Sequence, residues 1–110
     1  DEGRRMIILS IPFLNENFVR EQFGKYRSKF DFFEFRLDYH QDYHSFPAEL
    51  LQPNTIVTMR KKSDLKFLRN VVKKYDCFID LEIENFISEN LFQFQIKSDN
   101  LILSFHDFGE

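Results

Sequence analysis

The chain has 110 residues, a formal net charge of −3, and a composition that is 43% hydrophobic and 30% charged. This composition is typical of one folded domain rather than a disordered segment, and the acidic balance gives no general attraction toward nucleic acid or an anionic membrane. The single cysteine excludes an intrachain disulfide, and the most apolar run is too short to span a bilayer. With no signal peptide visible, we expect a cytoplasmic protein that binds neither nucleic acid nor membrane.

The first half of the chain predicts two strands, each followed by a helix. Residues 5–11 are an apolar, β-branched run typical of a strand. Residues 15–26 repeat apolar side chains at helical spacing, and the first of them, an asparagine, can cap the helix. Residues 30–39 alternate between apolar and polar side chains, which predicts a second strand. Residues 46–51 are predicted to form a short helix.

The second half continues the alternation. Residues 54–60 predict a third strand, and residues 63–75 predict a helix with one apolar stripe and a serine at the capping position. Residues 77–83 and 101–106 are interpreted as the fourth and fifth strands. We interpret residues 84–100 as a helix because of their length and their place between strands, although their second half alternates like a strand.

Strands that alternate with helices across short connections indicate βαβ units and a parallel sheet. Two folds use this order: a small doubly wound sheet and the first part of an eight-stranded barrel. Central strands of a doubly wound sheet are apolar on both faces, whereas the strands here carry polar residues on one face. These polar residues are Ser10, Glu34, Arg36, Asp38, Thr58, Arg60, Asp80, Glu82, Ser104 and His106. We therefore expect one α/β domain over residues 1–110, forming about the first five strands of a TIM-type (β/α)8 barrel.

Charged side chains inside a barrel need partners. Glu34 with Arg36, and Glu82 with Arg60, offer opposite charges that can satisfy one another. For any single residue, a structural ion pair is the simpler interpretation. For the whole set, the concentration of polar groups toward the same end of the strands favours a functional site at the top of the barrel.

Four short motifs at strand ends resemble a known family. They are EFRLDY at 34–39, TIVTMR at 55–60, DLEIE at 80–84 and SFHDF at 104–108. In order and spacing they resemble type I 3-dehydroquinate dehydratase, a lyase of the shikimate pathway for aromatic amino acid biosynthesis. The resemblance implies a (βα)8 barrel, often dimeric, that needs no metal or organic cofactor. It also implies dehydration of 3-dehydroquinate to 3-dehydroshikimate, in which a lysine forms an imine and a histidine transfers protons.

The resemblance also implies roles for individual residues. His106 would be the general acid/base. Glu34 and Arg36 would hold substrate hydroxyl groups, Arg60 would bind and polarise the substrate, and Ser10 would line the floor of the site. These residues form the predicted catalytic and substrate-binding set.

The sequence departs from the family's pattern after the third strand. The family has a glutamate there that orients the histidine, within a Glu-Gly-Gly turn, and this chain has RKKSDLKF instead. Asp64 is the nearest acidic residue, and its alternative role is to cap the following helix together with Ser63. We assign Asp64 and Glu82 as supporting residues.

The imine-forming lysine of the family lies on the sixth strand, and this chain is interpreted as holding only five. Its own lysines lie on predicted helices or loops. We therefore expect the isolated chain to be inactive. Because five barrel strands leave two open edges, we also expect it to associate with itself or with the carboxy-terminal half of a barrel.

Other interpretations remain open. The chain could be a non-catalytic relic or binding module that keeps the substrate rim. A small doubly wound signalling domain is less favoured, because Arg60 stands where an acceptor aspartate would be needed at the end of the third strand. His40 and His44 have a spacing that suits a metal site on a helix, but an exposed loop is the preferred interpretation and we predict no metal. Cys77 is predicted to be inert core packing.

Overall fold

The computed structural model describes residues 7–59, 64–82 and 101–104, with side chains for 7–59 and 64–80. These residues form strands and α-helices in the order β1 (Ile8–Pro12), α1 (Glu16–Tyr26), β2 (Phe32–Arg36), β3 (Thr55–Thr58), α2 (Leu65–Tyr75), β4 (Phe78–Glu82) and β5 (Leu101–Ser104). Three single 3-10 turns lie between β2 and β3, at Leu37–Tyr39, Tyr43–Ser45 and Ala48–Leu50. The predicted helix at 84–100 lies outside the described residues.

The five strands form one sheet in which each strand pairs in parallel with the next strand along the chain, in the order β1-β2-β3-β4-β5. The register aligns Ser10 with Glu34, and it aligns Arg36 with Thr58 and Thr58 with Asp80. This confirms the predicted α/β class with a parallel sheet.

Both helices pack against the same face of this sheet. In α1, Val19 and Phe23 are buried, and the Phe23 ring lies with its centroid 4.9 Å from that of Phe33 and 5.7 Å from that of Phe35. The apolar side of α2 joins the same hydrophobic core, which comprises Ile11, Phe13, Val19, Phe23, Phe33, Phe35, Leu37, Phe46, Leu51, Val57, Met59, Leu65, Leu68, Val71, Val72, Cys77 and Ile79. Because side chains alternate along a strand, the residues between these core positions point to the opposite face, which we call the open face.

The helix ends follow local chemistry. Asn15 caps α1 as predicted, with its Oδ1 accepting from the Phe18 backbone N–H at 2.8 Å. The cap of α2 is Asp64, one residue later than the predicted Ser63. This helix ends at Tyr75, and Asp76, which follows it with a positive φ of 55°, donates from its backbone N–H to the Val72 carbonyl. Among the described residues, no helix combines the length and the apolar character that crossing a bilayer requires.

The connection between β2 and β3 differs from the prediction. The second strand was expected to run to residue 39 but ends at Arg36, because the chain then closes a 3-10 turn in which the His40 N–H donates to the Leu37 carbonyl at 3.2 Å. The helix predicted at 46–51 is a single 3-10 turn, Ala48–Leu50. A six-residue segment makes too few backbone hydrogen bonds to offset the cost of starting an α-helix.

Candidate functional site

The open face carries polar side chains toward the carboxyl ends of the strands. Ser10 is exposed, Glu34 and Arg36 are half-buried, and Thr58 and Asp80 are 0% and 8% exposed. Polar groups become more buried from the sheet edge at β1 toward its centre at β3 and β4. The structure therefore brings five predicted polar positions, on β1 to β4, to one face, as the alternation predicted.

Glu34 is held by a hydrogen bond from the neighbouring strand. The buried Thr58 hydroxyl donates from Oγ1 to Glu34 Oε2 at 2.6 Å. A hydroxyl that donates to a carboxylate makes a short, charge-assisted bond, so this contact fixes the carboxylate over β3. Within the described residues, the second oxygen, Oε1, has no hydrogen-bond donor.

Arg36 has a different partner from the one predicted. Its Nε and Nη2 donate to Asp38 Oδ1 at 3.0 Å and Oδ2 at 2.7 Å, and its guanidinium carbon lies 5.0 Å from the centroid of the Tyr39 ring. The predicted pairing of Arg36 with Glu34 is thus replaced by a bidentate pair with Asp38. The hydrogen bonds to Asp38 raise the pKa of the Arg36 guanidinium above its usual value, so this residue stays charged.

Asp64 belongs to a second cluster, at the start of α2. Its Oδ1 accepts from the Phe67 backbone N–H at 3.1 Å, and its Oδ2 accepts from the Tyr43 hydroxyl at 2.6 Å. His44 lies close to the same oxygen, with 3.7 Å between Nε2 and Oδ2. The Tyr43 hydroxyl lowers the pKa of Asp64, while the carboxylate raises the pKa of Tyr43. Asp64 therefore joins the connection between β2 and β3 to the first turn of α2.

The amino-terminal part of the open face is apolar. Phe32 on β2 and Phe78 on β4 have ring centroids 5.8 Å apart, although β3 lies between their strands. Adjacent strands are about 4.8 Å apart, so two strands that flank a third are separated by about twice that distance in a flat sheet. The two rings therefore converge over β3, as they do on the concave side of a curved sheet. Ile56 on β3, which pairs in register with Phe78 and with Glu34, is only 6% exposed.

The two histidines between β2 and β3 make separate contacts. His40 stacks on Phe13 with 4.5 Å between ring centroids, and its Nδ1 accepts from the Asp42 backbone N–H at 2.9 Å. His44 packs beside Tyr43 instead, with ring centroids 4.4 Å apart. Within 7–59, 64–82 and 101–104, no three His, Cys, Asp or Glu residues are grouped to hold a metal ion.

Cys77 precedes β4 and is fully buried in the core. Burial disfavours the thiolate and raises the pKa of this thiol to about 11. The core position predicted from the sequence is confirmed. At neutral pH the residue is a poor nucleophile.

Three members of the predicted site are not tested by these contacts. Arg60 and His106 lie outside the described residues, and so does the side chain of Glu82. Sequence reasoning missed the partners Asp38, Thr58 and Tyr43. An acidic residue two positions after a strand-end arginine was the one sequence signal available for Asp38, whereas nothing local indicated the long-range contact of Tyr43.

A scan against protein-family models, a search of curated proteins and a search of solved structures gave no significant match.

Proposed function

We propose that this chain forms the first five strands of a TIM-type barrel and binds 3-dehydroquinate on its open face, as part of a type I 3-dehydroquinate dehydratase. The observation that carries the proposal is the grouping of Ser10, Glu34, Arg36, Thr58 and Asp80 on the face of a parallel sheet opposite the two described helices. In parallel α/β folds, ligands bind at the carboxyl ends of the strands.

The strand order supports the barrel. A doubly wound sheet reverses its order at one point and carries helices on both faces. Here the order is sequential over five strands, and both described helices cover one face. The convergence of Phe32 and Phe78 also fits, because layers inside a TIM barrel draw their side chains from alternate strands.

The polar groups suit a substrate rich in hydroxyl groups. Glu34, held by Thr58, presents a carboxylate oxygen that accepts from a hydroxyl, and Arg36 presents donors at the end of the same strand. In the family that the motifs resemble, the residues matching Glu34 and Arg36 hold substrate hydroxyls. Proton transfer is assigned to His106 and substrate polarisation to Arg60 on the same resemblance.

Imine formation requires a lysine that the resemblance places on a sixth strand. The lysines of this chain lie on helices or in predicted loops. We therefore propose that the chain supplies substrate binding and acid/base groups, and that turnover requires a partner surface carrying the lysine. A second copy, or the remaining strands of a barrel, would cover the open face in that assembly.

The test is a titration of 3-dehydroquinate onto isotope-labelled protein, followed by NMR. We expect shifts at the carboxyl ends of β1 to β3. Glu34→Gln should weaken binding about tenfold or more, because a hydrogen bond to a charged group is lost. Glu21→Gln, on the exposed side of α1, is the matched control and should bind normally.

Two outcomes contradict the proposal. One is the absence of any shift at Glu34, Arg36 and Thr58 at saturating ligand. The other is an equal loss of affinity in the Glu34 and Glu21 variants. Borohydride added to the isolated chain with ligand should trap no adduct, and a trapped lysine would contradict the division of roles proposed above.

A second function, a non-catalytic binding module, is favoured by the contacts of Asp64. Its oxygens accept from the Phe67 N–H and the Tyr43 hydroxyl, which are the contacts of a helix cap, whereas the dehydratase needs an acidic residue that orients a histidine. The coding sequence after residue 110 discriminates between the two functions. A lysine on a following strand supports the dehydratase, and its absence supports the binding module.

A further inference from the structure

The end of β2 contains a donor and an acceptor fixed side by side. Arg36 and Asp38 form two parallel hydrogen bonds, and Tyr39 lies against the guanidinium. We propose that Asp38 determines specificity at this position: it neutralises Arg36 and makes the pair select hydroxyl groups over carboxylates. The inference rests on the proposed function for the location of the ligand, since both concern the same end of β2.

The geometry leaves one edge of Arg36 for a ligand. A guanidinium carries five N–H donors in a planar fork, and Asp38 occupies the edge formed by Nε and Nη2. The Nη1 end remains for a second acceptor. The negative charge of Asp38 stays within a few ångströms of any group that binds there.

A hydroxyl matches this pair and a carboxylate does not. A hydroxyl is neutral and can accept from Arg36 Nη1 without placing a second negative charge near Asp38. An ionised carboxylate only accepts, and it would stand beside the negative charge of Asp38. Without Asp38, an isolated arginine would instead favour bidentate binding of a carboxylate.

Partial burial of the Arg36–Asp38 pair strengthens the electrostatic effect of its charges on a ligand. Asp38 is an exposed residue as a whole, but the exposed fractions of the Arg36 and Asp38 side chains are only 22% and 21%. Partly buried charges are screened less by solvent and salt than exposed ones. The 3-10 turn at Leu37–Tyr39 places Asp38 and Tyr39 against Arg36, so the pair is formed before any ligand arrives.

The test compares a carboxylate that lacks hydroxyl groups across variants of Asp38. Cyclohexanecarboxylate is titrated onto labelled protein while the Arg36 Nε–H signal is followed by NMR. The unaltered chain should bind it weakly at Arg36. Asp38→Asn should bind it about tenfold more tightly, because removing one like charge a few ångströms away is a change of that order.

The controls separate charge from structure. Asp38→Glu keeps the charge and should retain the weak binding. Asp42→Asn makes the same charge change at an exposed position in the same connection and should change nothing. If Asp38→Asn folds poorly, as judged by circular dichroism, Asp38→Ser removes the same charge with a shorter side chain and should show the same gain.

The proposal is overturned if the neutral variants gain no affinity, or if Asp38→Glu gains as much as Asp38→Asn. Asp38 would then serve only to hold the turn. These outcomes do not depend on 3-dehydroquinate. A failure of the unaltered chain to bind 3-dehydroquinate would instead count against the proposed function, so the two failures are distinguishable.

Discussion

The two faces of the sheet come from the same strands but are stabilised differently. On the covered face, Phe33 and Phe35 are fully buried under α1 and the connection that follows β2. On the open face, Glu34 and Arg36, which alternate with them, are half-buried and make directional hydrogen bonds. The comparison teaches that apolar burial is concentrated on one face, while the other face carries hydrogen-bonded polar groups.

The largest expected effect follows from removing a ring on the covered face. Phe35 contacts Phe23 and Phe46, with ring centroids 5.7 and 5.0 Å apart. Phe35→Ala should lower the free energy of unfolding by about 3–5 kcal/mol, because it removes buried surface and leaves a cavity. Urea denaturation measures the change.

Phe32→Ala, on the open face, is the matched control for that loss. Phe32 is only partly buried, so the same truncation should cost clearly less. Equal costs for Phe32→Ala and Phe35→Ala would contradict the difference between the two faces.

A smaller effect is expected at Asp64, which stabilises the covered side by capping α2. Asp64→Ala removes the cap and the acceptor for Tyr43. Loss of an N-cap costs about 0.5–2 kcal/mol, and denaturation should show a loss of that size. Tyr43→Phe removes only the hydroxyl and should cost less than Asp64→Ala; a larger cost would mean that the cap contributes little.

The contribution of Asp64 to the free energy of unfolding should also depend on pH. The Tyr43 hydroxyl, together with the Phe67 N–H, lowers the pKa of Asp64 below its ordinary value of 3.8. A carboxyl whose pKa is lower in the folded state stabilises fully above its ordinary pKa and stops doing so as the pH falls through its folded pKa. The difference in stability between the unaltered chain and Asp64→Ala should therefore be constant at neutral pH and shrink in acid below 3.8. A difference that persists unchanged in acid would contradict the role of the ionised carboxylate.

The smallest expected effect is an absence of reaction at Cys77. Because burial raises the pKa of this thiol to about 11, iodoacetamide should label the native chain negligibly at neutral pH. Mass spectrometry should show one labelled site once urea unfolds the chain. Rapid labelling of the native chain would mean that the covered face is open to solvent near β4.

The sequence predicted the class of the fold and the faces of the strands because side chains alternate with a period of two. That rule placed Phe33, Glu34, Phe35 and Arg36 correctly on their faces. The sequence also indicated where the described strands occur along the chain, since each is a short segment rich in apolar residues.

The partners of the charged residues were harder to predict. Glu34 and Asp38 are each two residues from Arg36, and only the turn after β2 decides that Asp38 is the partner. The cap of α2 was ambiguous between Ser63 and Asp64, which are both good capping residues. Asp64, the residue that caps α2, also accepts a hydrogen bond from Tyr43, twenty-one residues earlier along the chain. No local sequence pattern reveals this long-range contact.

On the proposed function, the convergence of Phe32 and Phe78 over β3 has a consequence for how the ligand would reach Glu34. The two rings narrow the concave side of the sheet near the starts of the strands. We therefore expect the ligand to enter from the carboxyl ends of the strands. We also expect little room for a substituent that faces the rings, and more room for one that points away from them past Arg36. Binding should therefore tolerate a larger substituent only on the part of the ligand that lies toward the strand ends, away from the two rings.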